Sequence, residues 1–263
     1  MTVGIAMMMV TDDSPLAARD IAKRIAAYWP DAPVADEITT KDRMLSFNIS
    51  DAVVVIAMMP APIPWSELEG PCSTSTLWKN AAQQVRLHSH HWLITVNGEL
   101  EPLELSTLLT QVTAATLAAS KVSIGVYWGN ATLVIPRKLF VETARRCIPD
   151  GYPTPLWVDF RVHRVSNTLT GAFTAGMSAL GHMELEVKAS NEPPVELFDR
   201  LVSLAEYLIN NGPVIKDGDT IGADATEKIR VVYSKSLFGH SDRVMRLVYR
   251  DAKSTLRPWW RFW

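Results

Sequence analysis

The chain has 263 residues, enough for one large domain or two compact halves of about 100–150 residues each. Hydrophobic residues make up 48% and charged residues 21%, which excludes a mainly disordered chain. The 26 basic and 28 acidic side chains leave a net charge of −2, so no global positive field recruits nucleic acid or anionic lipid, and the two cysteines, Cys72 and Cys147, cannot build a disulfide scaffold.

The opening apolar run, 3–10, reads as a buried strand. It lacks the basic start and longer apolar stretch of a secretion signal, and Asp12 and Asp13 follow it at once. No run approaches the roughly 20 apolar residues of a membrane span. The expectation is a cytoplasmic protein without a transmembrane segment. Ser14 and Pro15 read as a helix start, a capping oxygen followed by a residue whose missing N–H costs nothing. Leu16, Ile21, Ile25 and Tyr28 give one face to a helix over 16–29. Residues 45–49 alternate as a strand, and the β-branched run 52–59 predicts a strand buried on both faces. This β-α-β-β order is the opening of a ferredoxin-like unit. Pro60, Pro62 and Pro64 then break regular structure. Beyond them the pattern predicts a helical turn over 65–70, a helix over 75–85, a strand over 91–96 and a helix over 105–120. Strands over 122–127 and 131–135 flank the turn Trp128-Gly129-Asn130, and a proline-opened helix covers 136–147.

Pro149, Gly151, Pro153 and Pro155 mark a boundary between an N-terminal half, 1–150, and a C-terminal half, 151–263, unless they form an ordered loop within one continuous domain. Beyond it, 156–165 and 172–178 read as paired strands and 182–188 as an alternating strand. A helix starts at Glu192-Pro193-Pro194 and ends at Asn210-Asn211-Gly212, and the last strands cover 229–234 and 244–249. The fold class is α+β, with mixed or antiparallel sheets and packed helices; two ferredoxin-like βαββ halves are one way to arrange it.

Several stretches together resemble a known family. They are residues 58–71, with Pro60-Ala61-Pro62-Ile63-Pro64-Trp65 within them; Gly125-Val126-Tyr127-Trp128-Gly129; Leu156-Trp157-Val158-Asp159-Phe160-Arg161-Val162; residues 174–186, opening Thr174-Ala175-Gly176-Met177; and Asp217-Gly218-Asp219-Thr220-Ile221-Gly222. The resemblance is to the bacterial domain-of-unknown-function 4261 family (DUF4261). It implies a bacterial, cytoplasmic α+β protein and transfers no catalytic residue set. Some such orphan families serve as immunity proteins beside secreted toxins.

Five groups of residues invite a chemical reading. His88, His90 and His91 cluster before a strand, and His88 and His90 share a side if that segment is extended. A zinc site there would need further ligands such as Cys72 or Glu69, and no Cys-x-x-Cys or His-Glu-x-x-His spacing occurs, so the expectation is no bound metal. Cys72 would be a nucleophile only with a base in reach, for which His88 or His91 are the candidates. Ser66 to Glu69 matches a capping box, with Ser66 as N-cap. His182, Glu184 and Glu186 alternate against Met183, Leu185 and Val187, which reads as the solvated face of a strand; in a cleft the same residues would make an acid–base or ligand cluster. The Asp217-Gly218-Asp219 run fails as a calcium loop, because position twelve is Lys228, and no phosphate-loop glycine motif appears, so no cofactor is expected.

Nine tryptophans remain, and Trp259, Trp260 and Trp263 crowd the end of the chain with Phe262. Leaving such an ending in water is costly, at roughly 25 cal/mol per Å² of apolar area, so it is expected to dock, on its own domain or on a partner. The leading expectation is a non-catalytic binding protein, an immunity protein that blocks a toxin domain. Its binding residues would be Glu67, Glu69, Trp259, Trp260 and Trp263, with Glu99 and Glu101 as further acidic candidates and no nucleic acid or membrane as partner. The alternative is an enzyme with a site near Cys72 and the His88/His90/His91 cluster.

Overall fold

A computed structural model describes residues 2–222 and 227–249. The chain divides into two compact units, Met1–Trp157 and Val158–Trp263, so the division comes just beyond the proline-rich segment 149–155.

The first unit runs, in order, through β1 (Thr2–Val10), α1 (Ala18–Tyr28), β2 (Ala35–Lys41), β3 (Met44–Ile49), β4 (Ala52–Met59), α2 (Trp65–Thr74), α3 (Ala81–Val85), β5 (His90–Gly98), α4 (Pro102–Ala119), β6 (Ser123–Trp128), β7 (Leu133–Pro136), α5 (Arg137–Cys147) and α6 (Thr154–Trp157). Its strands form one seven-stranded sheet in the order β2-β3-β4-β5-β1-β6-β7, with every neighbouring pair antiparallel.

Period-two patterning sends the side chains of β1 to two different covers. The even residues meet α4, which lies so close at Gly4 that a β-carbon there would sit 3.2 Å from a Leu109 methyl. Such an approach suits glycine. Helix α4 is buried on nearly every side, beyond the single face its sequence suggests, because α1 and α5 flank it. Two of its internal threonines survive burial by bonding back: the Thr110 and Thr116 hydroxyls donate to the carbonyls of Ser106 and Val112, each at 2.7 Å, whereas the Thr113 hydroxyl is buried without a partner. On the opposite face, Met9, Tyr127 and Val134 form a core with Ile63, Leu68, Cys72, Trp78, Ala81 and Val85 of the α2–α3 segment.

Three local expectations are corrected here. Strand β4 is buried on one face only, with Val53 45% exposed, because helices do not cover the sheet there. Ser14 does not cap α1; its N–H and hydroxyl both donate to the Asp12 carboxylate, and the helix begins at Ala18. The helix expected over 75–85 shrinks to α3, and Asn80 ahead of it adopts a left-handed φ of 58°.

The second unit runs β8 (Asp159–Arg164), β9 (Thr170–Ala175), β10 (Leu185–Ser190), α7 (Pro194–Asn211), β11 (Thr220–Ile221), β12 (Ile229–Lys235) and β13 (Arg243–Val248). The six strands lie in the order β11-β12-β13-β10-β9-β8. Only β10 and β13 are parallel neighbours, which requires a long crossover, and α7 lies within it. Leu197, Leu201, Leu204, Ala205 and Leu208 bury the inner stripe of α7, and Gly212, with φ of 81°, ends it.

The class is therefore α+β with one antiparallel and one mixed sheet. The two units do not repeat a single βαββ order: the first opens β-α-β-β-β and the second β-β-β-α. Among the described residues, no helix is long and apolar enough to cross a membrane.

Candidate functional site

Helix α2 carries most of the residues singled out in the first unit. Pro64 caps it with φ −53° and ψ 135°, and no side chain bonds at the cap. The capping box anticipated at Ser66 and Glu69 is therefore not formed. The helix has already begun at Trp65, so Ser66 lies one residue inside its first turn. Leu68, Pro71 and Cys72 face the sheet, while Ser66, Glu67 and Glu69 are exposed. Pro71 has no N–H to give the helix, and the hydroxyls of Ser73 and Thr74 donate to the Gly70 carbonyl at 2.8 and 3.0 Å. The Arg86 guanidinium lies 3.5 Å above the half-buried Trp65 ring, a cation–π contact that holds the start of the helix.

The histidine cluster braces the proline segment ahead of that helix. His88 is buried, with its Nδ1–H donating to the Val85 carbonyl and its Nε2 accepting the Ile63 N–H at 2.9 Å. Both ring nitrogens are thus committed, in one neutral tautomer. His91 Nδ1 donates to the Ala61 carbonyl at 2.8 Å, and His90 Nδ1 pairs with the Ser89 hydroxyl at 2.8 Å. Burial pushes the pKa values of His88 and His91 down, with the carbonyls they bond pulling the other way. Burial likewise pushes the Cys72 thiol up, against the opposing charge of Arg86. That leaves Cys72 as a protonated core group at neutral pH.

These shifts set a pH dependence. The unfolded chain takes up protons on histidine near pH 6.5, while folded His88 and His91 resist protonation to lower pH. Their contribution to stability is complete above that value and declines as pH falls below it. The melting temperature should therefore drop between pH 7 and pH 5 (thermal unfolding across about two pH units below neutrality). His88→Gln should show a shallower drop, and an equal slope in both proteins would exclude His88 as a source.

In the second unit the solvated-face reading of His182, Glu184 and Glu186 is overturned. Strand β10 begins at Leu185, so His182 lies in the turn before it, and Glu184 and Glu186 are 4% and 0% exposed. Buried carboxylates need donors, and both have them. Glu184 accepts from the Thr174 hydroxyl at 2.7 Å and from the N–H groups of Gly176 and Ser178 at 2.9 and 3.0 Å. Glu186 accepts from the Ser236 hydroxyl, from the Leu237 N–H at 3.1 Å and from Arg246 at 3.2 Å. Leu185 and Val187 on the other face are also buried, so β10 is covered on both sides.

The structure thus gathers Cys72, His88 and His91 around the α2–α3 cover, and it leaves Glu67 and Glu69 at its surface. Trp259, Trp260 and Trp263 lie outside the described residues. Arg86, Ser236, His240 and Arg246 escaped the sequence reading, since nothing local distinguishes them from ordinary polar surface residues. No group of three or more His, Cys, Asp and Glu is placed to hold a metal among the described residues.

Residues 173–248 match the family model described as Domain of unknown function (DUF4261), in line with the resemblance carried by the sequence motifs. The matched span runs from within β9 to the end of β13, and α2 lies outside it. No curated protein and no solved structure matches the chain.

Proposed function

We propose that this chain, of the DUF4261 family, works by binding another protein, as an immunity protein that neutralises a cognate secreted toxin by direct contact. The observation that carries the proposal is the exposed surface of α2, where Glu67 and Glu69 project to solvent on the two flanks of the buried Leu68 from a rigidly held helix. The Trp65–Arg86 stack and the His88 and His91 bonds fix that helix and the proline segment before it. Charges held in place bind with less ordering cost than charges on a flexible loop. Two exposed carboxylates flanking the buried Leu68 suit a basic partner surface that wraps the helix, speed encounter and weaken with salt. The enzyme alternative needs a thiolate at Cys72 and a free imidazole nitrogen beside it. Burial holds the thiol protonated, and His88 has no ring nitrogen to spare.

A toxin gene directly beside this one would supply the partner to test, whereas a metabolic operon would favour the enzyme. With that toxin domain, the double variant Glu67→Lys/Glu69→Lys should bind at least about tenfold more weakly by calorimetry, since it replaces complementary charges with repulsive ones. Its melting temperature should stay near that of the parent, because both positions are exposed. Unchanged affinity in a folded variant would remove α2 from the interface.

A further inference from the structure

An antiparallel sheet with one covered face commonly turns polar residues to the other. The sheet of the first unit does not. Across β1, β5 and β4, Val3, Asn97 and Val53 lie opposite one another, and Ile5, Thr95 and Val55 form the next row. Met7 and Leu93 follow, before the α2–α3 segment closes over this face at Met9. Val3, Ile5 and Val53 are 49%, 42% and 45% exposed, and Met44 on β3 extends the patch at 49%. The even residues of β1 meet α4 on the other side, so these rows form an apolar face with no cover of their own.

The polar neighbours Thr95, Ser46 and Asn48 already bond within the sheet. The Thr95 hydroxyl donates to the Val55 carbonyl at 3.1 Å, the Ser46 and Thr39 hydroxyls pair at 2.6 Å, and the Asn48 amide donates to Glu37 at 2.8 Å. Covering them therefore leaves few polar groups unpaired. The rows across β1, β5, β4 and β3 carry no charged side chain; charge begins at the β2 edge, with Asp36 opposite Asn48 and Lys41 opposite Met44. An apolar centre that includes methionine, with charges kept to the rim, is the make-up of a protein interface. Together these side chains present on the order of 600 Å² of accessible surface, the most that monomers commonly leave open in one patch. Two copies face to face would bury roughly 1,200 Å², which reaches the size of specific interfaces.

We infer that this chain forms a two-fold symmetric dimer by packing the open face of its first-unit sheet, centred on Ile5, Val53 and Val55, against the same face of a second copy. A two-fold contact lays a surface on itself, so any charge at its centre would meet its like; this face has none there to repel. A basic foreign partner finds its match on the flanks of α2, and a neutral face gives it no charge to pair with. Sheets packed face to face stand about 10 Å apart with their side chains interdigitated, a gap that valine, isoleucine and methionine fill. The dimer does not depend on the toxin reading, and either can fail without the other.

The test is sedimentation velocity of the full chain from about 1 to 100 µM, a range over which a reversible dimer shows its concentration dependence. The parent should sediment as a dimer at the upper end. The double variant Ile5→Lys/Val53→Lys places charges inside the contact and should raise the dissociation constant at least about a hundredfold. Both positions are exposed in the single copy, so its circular dichroism should match the parent's. Ile5→Thr/Val53→Thr, closer in shape, should weaken the dimer about tenfold and decides the matter where the lysine pair fails to fold. Val195→Lys, at a 70% exposed apolar position in the second unit, should leave the dimer intact. A parent that stays monomeric throughout, a dimer that survives both substituted pairs, or one that Val195→Lys dissociates equally would overturn the inference.

Discussion

Glu186→Ala should destabilise the second unit by about 3–5 kcal/mol, the usual consequence of removing one member of a buried ion pair. The parent carboxylate is fully buried and accepts from Ser236, Leu237 and Arg246, which lie on β13 and on the loop leading to it. Alanine takes the shared acceptor from the Ser236 hydroxyl and the Leu237 N–H and leaves Arg246 with the Lys235 carbonyl. Arg246 also loses its buried counter-charge, with its Nε already buried without a partner and its side chain only 18% exposed. Glu186→Gln keeps one acceptor and the volume, so its loss should be smaller. Amide exchange across 229–248 checks both variants: protection should fall sharply in the alanine protein and less in the glutamine one. Parent-like protection in Glu186→Ala would mean that the carboxylate does not hold the loop.

Trp157→Ala should cost the first unit about 3–5 kcal/mol, as large buried aromatics do when truncated. Trp157 is 1% exposed, meets Tyr152 with ring centres 5.6 Å apart, and its Nε1–H donates to the Thr110 hydroxyl at 2.7 Å inside α4. Truncation would leave a large cavity against the most buried helix of the unit. Trp157→Phe keeps one aromatic ring and loses the hydrogen bond, worth about 0.5–1.5 kcal/mol, together with part of the packing. Denaturant unfolding of the three proteins should rank them parent, phenylalanine, alanine. An alanine variant as stable as its parent would show that this end of the unit is not anchored by the tryptophan.

The sequence announces those elements that carry an unbroken apolar run or clear boundary residues. The apolar run of β1 and the proline start and Asn-Asn-Gly end of α7 are plain in the chain, and both elements stand there. Strand β2 went unseen because it is an edge strand whose residues are nearly all polar and exposed, so burial imposes no pattern on it. Caps mislead for a different reason. A serine before a helix is a good cap only if no nearer acceptor captures it, and Asp12 captures Ser14 while Pro64 starts α2 one residue ahead of Ser66. The candidate sites divide the same way. The clustering of His88, His90 and His91 is visible in the chain, but the carbonyls and N–H groups that occupy them belong to Ala61, Ile63 and Val85 and become neighbours only on folding. Alternation of Glu184 and Glu186 with apolar residues suggests one wet face. Their burial depends on donors as far along the chain as Arg246, which no local pattern reports.

Amide exchange of the complex with the cognate toxin domain tests the binding account most directly. The account predicts that complex formation slows exchange across α2, residues 65–74, and that this protection fades as salt rises. A complex whose protection falls elsewhere, with exchange across 65–74 unchanged, would contradict it.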